Sequence, residues 1–230
     1  MDGIVIKTLG RFYTVRTDDN EVVKCCLKGK FRISGIKSTN PIVVGDRVEL
    51  EQISEIWIIV KLYSRRNQIL RKSVKLSKQT HVIAANIDQA LLMITLDSPV
   101  TTTGFIDRFL VTADAYSVDA VLLFNKIDLL NKNTKSEQED LQRVYENIGY
   151  KCFSFSAIHD DLSYVKNLMK GKINMLSGHS GVGKSTLINK LQPNLNIITK
   201  EVSASYRQGQ HTTAFSELHE LDFGASIIDT

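Results

Sequence analysis

Apolar and polar residues follow two different rhythms along this chain, and the change between them near residue 76 sets its organisation. Before it come short runs rich in β-branched and aromatic residues: Ile4-Val5-Ile6, Phe12-Tyr13-Thr14-Val15, Val22 to Leu27, Val48-Glu49-Leu50 and Ile56 to Val60. Gly10, Asp18-Asp19-Asn20, Gly29, Gly35, Pro41 and Gly45-Asp46 interrupt them. Such runs, bounded by turn formers and without helical periodicity, predict short strands. Strands at this density predict a small closed barrel.

Beyond residue 76 the rhythm changes. Ala90 to Ile94 is a continuous apolar run, as expected of a strand buried on both faces of a parallel sheet. Phe105, Ile106, Phe109, Leu110 and Ala113 then recur at helical spacing, and Ala120 to Phe124 is a second apolar run. This is the pattern of a βαβ unit. Ser136-x-x-Glu139 predicts a capping box opening the next helix, with Leu141, Val144, Tyr145 and Ile148 on its apolar face and Gly149 at its end. Cys152 to Phe155 predicts a strand, and Leu162, Val165, Leu168 and Met169 predict a helix ending at Gly171. A strand over Ile173 to Ser177, a helix carrying Leu187, Ile188 and Leu191, and a strand ending at Asp229 complete the pattern. Residues 76–230 are therefore expected to form a doubly wound, mostly parallel α/β domain, and residues 1–72 a separate all-β domain.

Between the strand and the helix around residue 180 lies Gly178-His179-Ser180-Gly181-Val182-Gly183-Lys184-Ser185, followed by Thr186. This fits G-x-x-x-x-G-K-[ST] in its required strand-to-helix context. The glycines allow successive N–H groups to face a polyphosphate, and the helix N-terminus adds partial positive charge. Lys184 is the expected phosphate-binding cation and Ser185 the expected Mg²⁺ ligand. The loop alone leaves ATP and GTP equally open.

Asn125-Lys126-Ile127-Asp128 stands at the end of the 120–124 strand and looks like the guanine-reading motif of GTPases. There the Asp carboxylate accepts two hydrogen bonds from guanine N–H groups, a donor pair that adenine lacks, so Asp128 should discriminate between the bases. Ser156-Ala157 resembles the second base-contacting loop, although Ile158 replaces the Lys that many GTPases carry. Gly209-Gln210-His211-Thr212-Thr213 offers hydroxyls for a switch loop, and Asp229 is presented as a Walker-B metal ligand would be. In most GTPases the phosphate loop comes first and the base-reading motifs last. Here the base-reading motifs precede it, which is circular permutation.

Charge bears on the front half. Residues 1–75 hold 15 Lys/Arg against 8 Asp/Glu, whereas residues 76–230 hold 14 against 17. No acidic residue lies between Glu55 and Asp88, a window containing Lys61, Arg65, Arg66, Arg71, Lys72, Lys75 and Lys78. Such a surface attracts polyanions, although charge alone leaves an ordinary solvated basic face equally open. Among small barrels, an OB-fold that binds nucleic acid fits this charge best. Cys25, Cys26 and Cys152 make no C-x-x-C pair and read as thiols in a reducing compartment. No run of 18 apolar residues and no signal-peptide pattern occurs, so a cytoplasmic location without a membrane is expected.

The permuted order, the basic barrel-like front, Val44-Gly45-Asp46-Arg47-Val48, Ala85-Asn86-Ile87-Asp88-Gln89 and the Gly-x-His-Thr-Thr loop together resemble the RsgA (YjeQ) family of GTPases dependent on the small ribosomal subunit. The resemblance covers essentially the whole chain. It implies an N-terminal OB-fold contacting ribosomal RNA, a permuted GTPase core, and a role in late maturation of the small subunit, which stimulates hydrolysis. It implies GTP and GDP bound by residues 125, 126, 128, 156, 157 and 178–186, with Mg²⁺ held by Ser185, Thr212 or Thr213, and Asp229. His211 is then the expected water-positioning residue, with a solvated loop histidine as the competing reading, and the protein is expected to be a monomer. The family continues past its metal Asp into a C-terminal zinc domain. This sequence stops at Thr230 and holds no zinc-spaced Cys/His cluster, so a fragment lacking that domain is expected, and zinc only for the missing part. The competing functional readings are a GTP-gated RNA-binding module with incidental hydrolysis, and a P-loop ATPase or kinase.

Overall fold

A computed structural model describes residues 1–27, 41–72, 80–195 and 217–229. The chain forms two compact units: one of residues 1–87, 213–219 and 228–230, the other of residues 88–212 and 220–227.

The first unit is built on β1 (Asp2–Leu9), β2 (Phe12–Thr17), β3 (Val22–Leu27), β4 (Arg47–Ile53) and β5 (Ile56–Leu62). Their hydrogen-bonded order is β1-β2-β3-β5-β4, and β4 pairs back onto β1, so the sheet closes into a five-stranded, OB-like barrel. The β3–β5 pairing is parallel, and the other pairings are antiparallel. Register shifts between Val5 and Lys7 and between Glu49 and Leu50 mark bulges, the device by which a short sheet bends far enough to close. Val5, Tyr13, Val15, Cys25, Val48, Leu50 and Ile59 fill the interior. Cys25 is buried and Cys26 less so, as strand alternation requires.

A hairpin of β6 (Gln68–Lys72) and β7 (Thr80–Ala85) lies outside the sequence expectation. It is joined to the barrel chain by a bridge from Val44 to Ala84. Gly45, at φ +88°, lies so close to Ala85 that a Cβ would stand 2.0 Å from its carbonyl oxygen. Asp46, fully buried, takes two hydrogen bonds from Arg65, at 2.7 and 2.8 Å, and a third from Val43 N–H at 2.8 Å. Arg65 is therefore an internal ion-pair partner, which removes it from the basic surface expected of residues 61–78.

The second unit contains β8 (Gln89–Ile94), α1 (Thr103–Ala115), β9 (Asp119–Asn125), α2 (Lys132–Asn147), β10 (Lys151–Phe155), α3 (Ser163–Met169), β11 (Ile173–Ser177) and α4 (Lys184–Leu191). β12 (Glu217–Leu221) and β13 (Ala225–Asp229) follow, of which residues 220–227 belong to this unit. Strands run in the order β10-β9-β8-β11-β13-β12, with β10–β9, β9–β8 and β8–β11 parallel. Alternate residues of the central strands enter different cores. Leu91, Met93, Val121 and Leu123 pack with the α3 and α4 side, whereas Leu92, Ile94, Leu122 and Phe124 pack with α1 and α2. Two covered faces explain the unbroken apolar runs. From β8 the chain winds outward to β10 and then returns to the other side of β8, placing a topological switch point between β8 and β11, where open α/β sheets bind ligands.

One helix start differs from expectation. α2 begins at Lys132, capped by Asn131, whose Oδ1 accepts the N–H groups of Asn133 and Thr134 while Thr134 Oγ1 accepts that of Asn131. Thr134 takes the reciprocal role assigned to Glu139, so the box forms five residues earlier and Ser136 and Glu139 lie inside the helix.

Candidate nucleotide-binding site

The phosphate-loop sequence occupies the switch point. β11 ends at Ser177, and Gly178, Gly181 and Gly183 adopt φ of +148°, +86° and +101°, which disfavour any side chain. At two of them space is also closed: a Cβ on Gly178 would stand 2.7 Å from Met93 O, and one on Gly183 2.4 Å from Asn125 Nδ2. The loop is thus pressed against the C-terminal ends of β8 and β9. Val182, fully buried, anchors its middle in the core shared by α3 and α4. Lys184 opens α4, and its Nζ donates to Gly178 O at 2.8 Å and His179 O at 3.1 Å. Ser185 and Thr186 follow in the same turn.

Asn125 joins the three motifs. Its Nδ2 donates to Val182 O in the phosphate loop at 2.8 Å, and its Oδ1 accepts the N–H of Ala157 at 2.9 Å. It is nearly buried. Only an amide side chain can donate and accept from neighbouring atoms in this way. Lys126 takes a left-handed conformation, φ +64°, and its Nζ donates to Ser98 O at 2.6 Å. Asp128 lies in the short 3-10 turn Ile127–Leu129, with Oδ2 3.9 Å from Nε2 of His159.

The Ser156-Ala157 loop is held from within. Ser156 N–H donates to Asp160 Oδ2 at 2.8 Å, and Ser156 Oγ accepts the N–H of His159 at 3.3 Å. Burial, and then the Asp160 carboxylate, push Tyr164 up to about 12, so its phenol stays neutral beside this loop. Ile158 is 62% exposed, and its carbonyl accepts Lys190 Nζ from the last turn of α4 at 3.0 Å.

Asp229 is the last residue of β13. His211, Thr212 and Thr213 lie outside the described residues. Among the described residues no group of three or more His, Cys, Asp or Glu could hold a metal, and none of the helices is long and apolar enough to cross a membrane.

A family model described as the RsgA GTPase matches residues 62–230, and one described as the RsgA N-terminal domain matches residues 2–55. The chain belongs to the RsgA GTPase family. Among its curated RsgA relatives, the small ribosomal subunit biogenesis GTPase RsgA of Flavobacterium johnsoniae is 53% identical, the match covering the whole chain and 72% of the relative. The protein of the same name from Bacteroides fragilis is 46% identical over the whole chain and 75% of the relative. The crystal structure of YjeQ from Thermotoga maritima matches with a TM-score of 0.78 at 30% identity, covering all of this chain and 73% of that one. YloQ, described as a circularly permuted GTPase, matches with a TM-score of 0.72 at 27% identity, covering all of this chain and 70% of that one. RsgA membership accounts for a GTP-hydrolysing enzyme in which Asn125-Lys126-Ile127-Asp128 precedes the phosphate-loop sequence.

Two contacts at the site had no signal in the sequence. Lys126 reaches Ser98 and His179 stacks on Phe105, each across a separation at which no local pattern operates.

Proposed function

We propose that this chain is a Mg²⁺-dependent GTPase acting in late maturation of the small ribosomal subunit, with the barrel contacting ribosomal RNA and the subunit stimulating hydrolysis. The observation that carries the reading is Asn125, whose one side chain bonds both Ala157 and Val182 and so joins the base-reading strand end to the Ser-Ala loop and the phosphate loop. Such a junction at the switch point suits a nucleotide that spans base and phosphates. The positive φ of Gly178, Gly181 and Gly183 suits a loop whose backbone N–H groups turn toward a polyphosphate.

Asp128 is assigned to the guanine N–H pair, Lys126 to the face of the base, and residues 178–186 to the phosphates. Lys184 neutralises charge on the outer phosphates as it shifts toward the leaving group. The hydroxyls of Ser185 and Thr212 or Thr213 and the carboxylate of Asp229 are hard oxygen donors, the type that suits Mg²⁺. When bound, the ion would neutralise β- and γ-phosphate oxygens. His211 is assigned to orienting water. Because positioning dominates such catalysis, turnover is slow until the subunit stimulates it.

The test is release of labelled phosphate from GTP and ATP, with and without purified small subunits and with and without Mg²⁺. GTP turnover raised by the subunit and lost with EDTA is expected. A preference for ATP would sink the base assignment, and GTP binding without subunit-stimulated release would favour a GTP-gated RNA-binding module.

A further inference from the structure

His179, the second residue of the phosphate loop, is the observation with the furthest reach. Its imidazole stacks on Phe105 in the first turn of α1, with ring centroids 4.0 Å apart and planes tilted by 35°. Its carbonyl, with that of Gly178, holds the ammonium of Lys184, and it also accepts the N–H of Val182 at 3.4 Å. The ring and the carbonyl belong to one residue, so gripping the ring limits rotation of the peptide on which Lys184 rests. Gly178 has no side chain with which to reach α1. Phe105 can restrain the ring, since it is packed against the core that joins α1 and α2 to the sheet.

We propose that His179 is a positioning residue for Lys184, acting through its stack on Phe105: α1 grips the first arm of the phosphate loop and thereby sets where the lysine ammonium stands. The function of the stack is aromatic contact rather than charge. It rests on the reading of residues 178–185 as a nucleotide-phosphate site.

The experiment measures fluorescent GDP binding and GTP turnover for the full chain and for His179→Ala, His179→Phe, Phe105→Ala and the His179→Ala/Phe105→Ala double variant. It repeats His179→Ala in a Lys184→Ala background. An aromatic pair contributes an amount equivalent to about two- to tenfold in an equilibrium or rate constant. His179→Ala and Phe105→Ala should each lower kcat/KM by about that factor, and the double variant should be no worse than either. His179→Phe should restore activity with an unchanged pH profile, and the Lys184→Ala background should abolish the effect of His179→Ala. Failure of His179→Phe to rescue would overturn the proposal in favour of a charge or hydrogen-bond role, as would additive single effects. A lowered melting temperature with unchanged constants would overturn it in favour of a structural role. Absence of nucleotide binding by the unmodified chain would instead sink the nucleotide-site reading itself.

Discussion

Gly183, the last glycine of the phosphate-loop sequence, and Asn125, the first residue of the N-K-x-D motif, stand so close that a Cβ on Gly183 would be 2.4 Å from Asn125 Nδ2. Fifty-eight positions of chain separate them. Gly183→Ala adds a forbidden contact at φ +101°, and such strain costs about 1–3 kcal/mol. Nucleotide affinity is expected to fall by roughly tenfold or more, with the far-ultraviolet circular dichroism unchanged. Fluorescent GDP titration checks this.

Asn125→Asp removes the donor to Val182 O and places a carboxylate in a site 4% exposed. An unsatisfied buried polar group costs about 1–3 kcal/mol, and more when charged. Thermal unfolding should shift down and guanine nucleotide should no longer restore it.

Asp128→Asn exchanges an acceptor pair for a mixed donor and acceptor. Competition between GTP and xanthosine triphosphate should move toward the xanthine nucleotide, because xanthine offers an acceptor where guanine offers a donor. Unchanged guanine selectivity would refute the assignment of Asp128.

Arg65→Met leaves the fully buried Asp46 carboxylate without its cation. Breaking a buried pair from one side costs about 3–5 kcal/mol. The variant should unfold at a markedly lower denaturant midpoint, whereas Lys61→Met, at an exposed site, should leave that midpoint nearly unchanged.

Burial pushes the thiols of Cys25 and Cys152 up to about 12 from a reference of 9.0, with the neighbouring Cys26 and Glu146 adding to it. Because the folded values are the higher ones, the neutral thiols stabilise the fold fully below pH 9, and that contribution is lost as pH rises from about 9 to 12. At pH 8 both cysteines should react slowly with a disulfide reagent and rapidly in denaturant, which absorbance of the released thiolate measures.

The elements most legible in the sequence were those whose burial is uniform. Ala90 to Ile94 and Ala120 to Phe124 read as strands because both faces of β8 and β9 are covered, leaving no polar position to interrupt the run. The barrel strands were legible through their turns. The hairpin β6–β7 was not, since basic residues crowd its first strand, nor was β12, whose Glu-Leu-His-Glu-Leu sequence carries no strand preference. The early start of α2 was missed because Thr134 replaces the Glu or Gln of the usual box.

By itself the sequence determined the two rhythms, the glycine-rich loop between strand and helix, and the permuted order of motifs. Each is a property of neighbouring residues, set by side-chain period, backbone freedom and order along the chain. Only the tertiary structure decided that Arg65 is spent on Asp46, that Asn125 ties Ala157 to Val182, and that His179 leans on Phe105. Those contacts join residues 19 to 74 positions apart, and at such separations a partner is chosen by which strand ends and helix turns the sheet brings together.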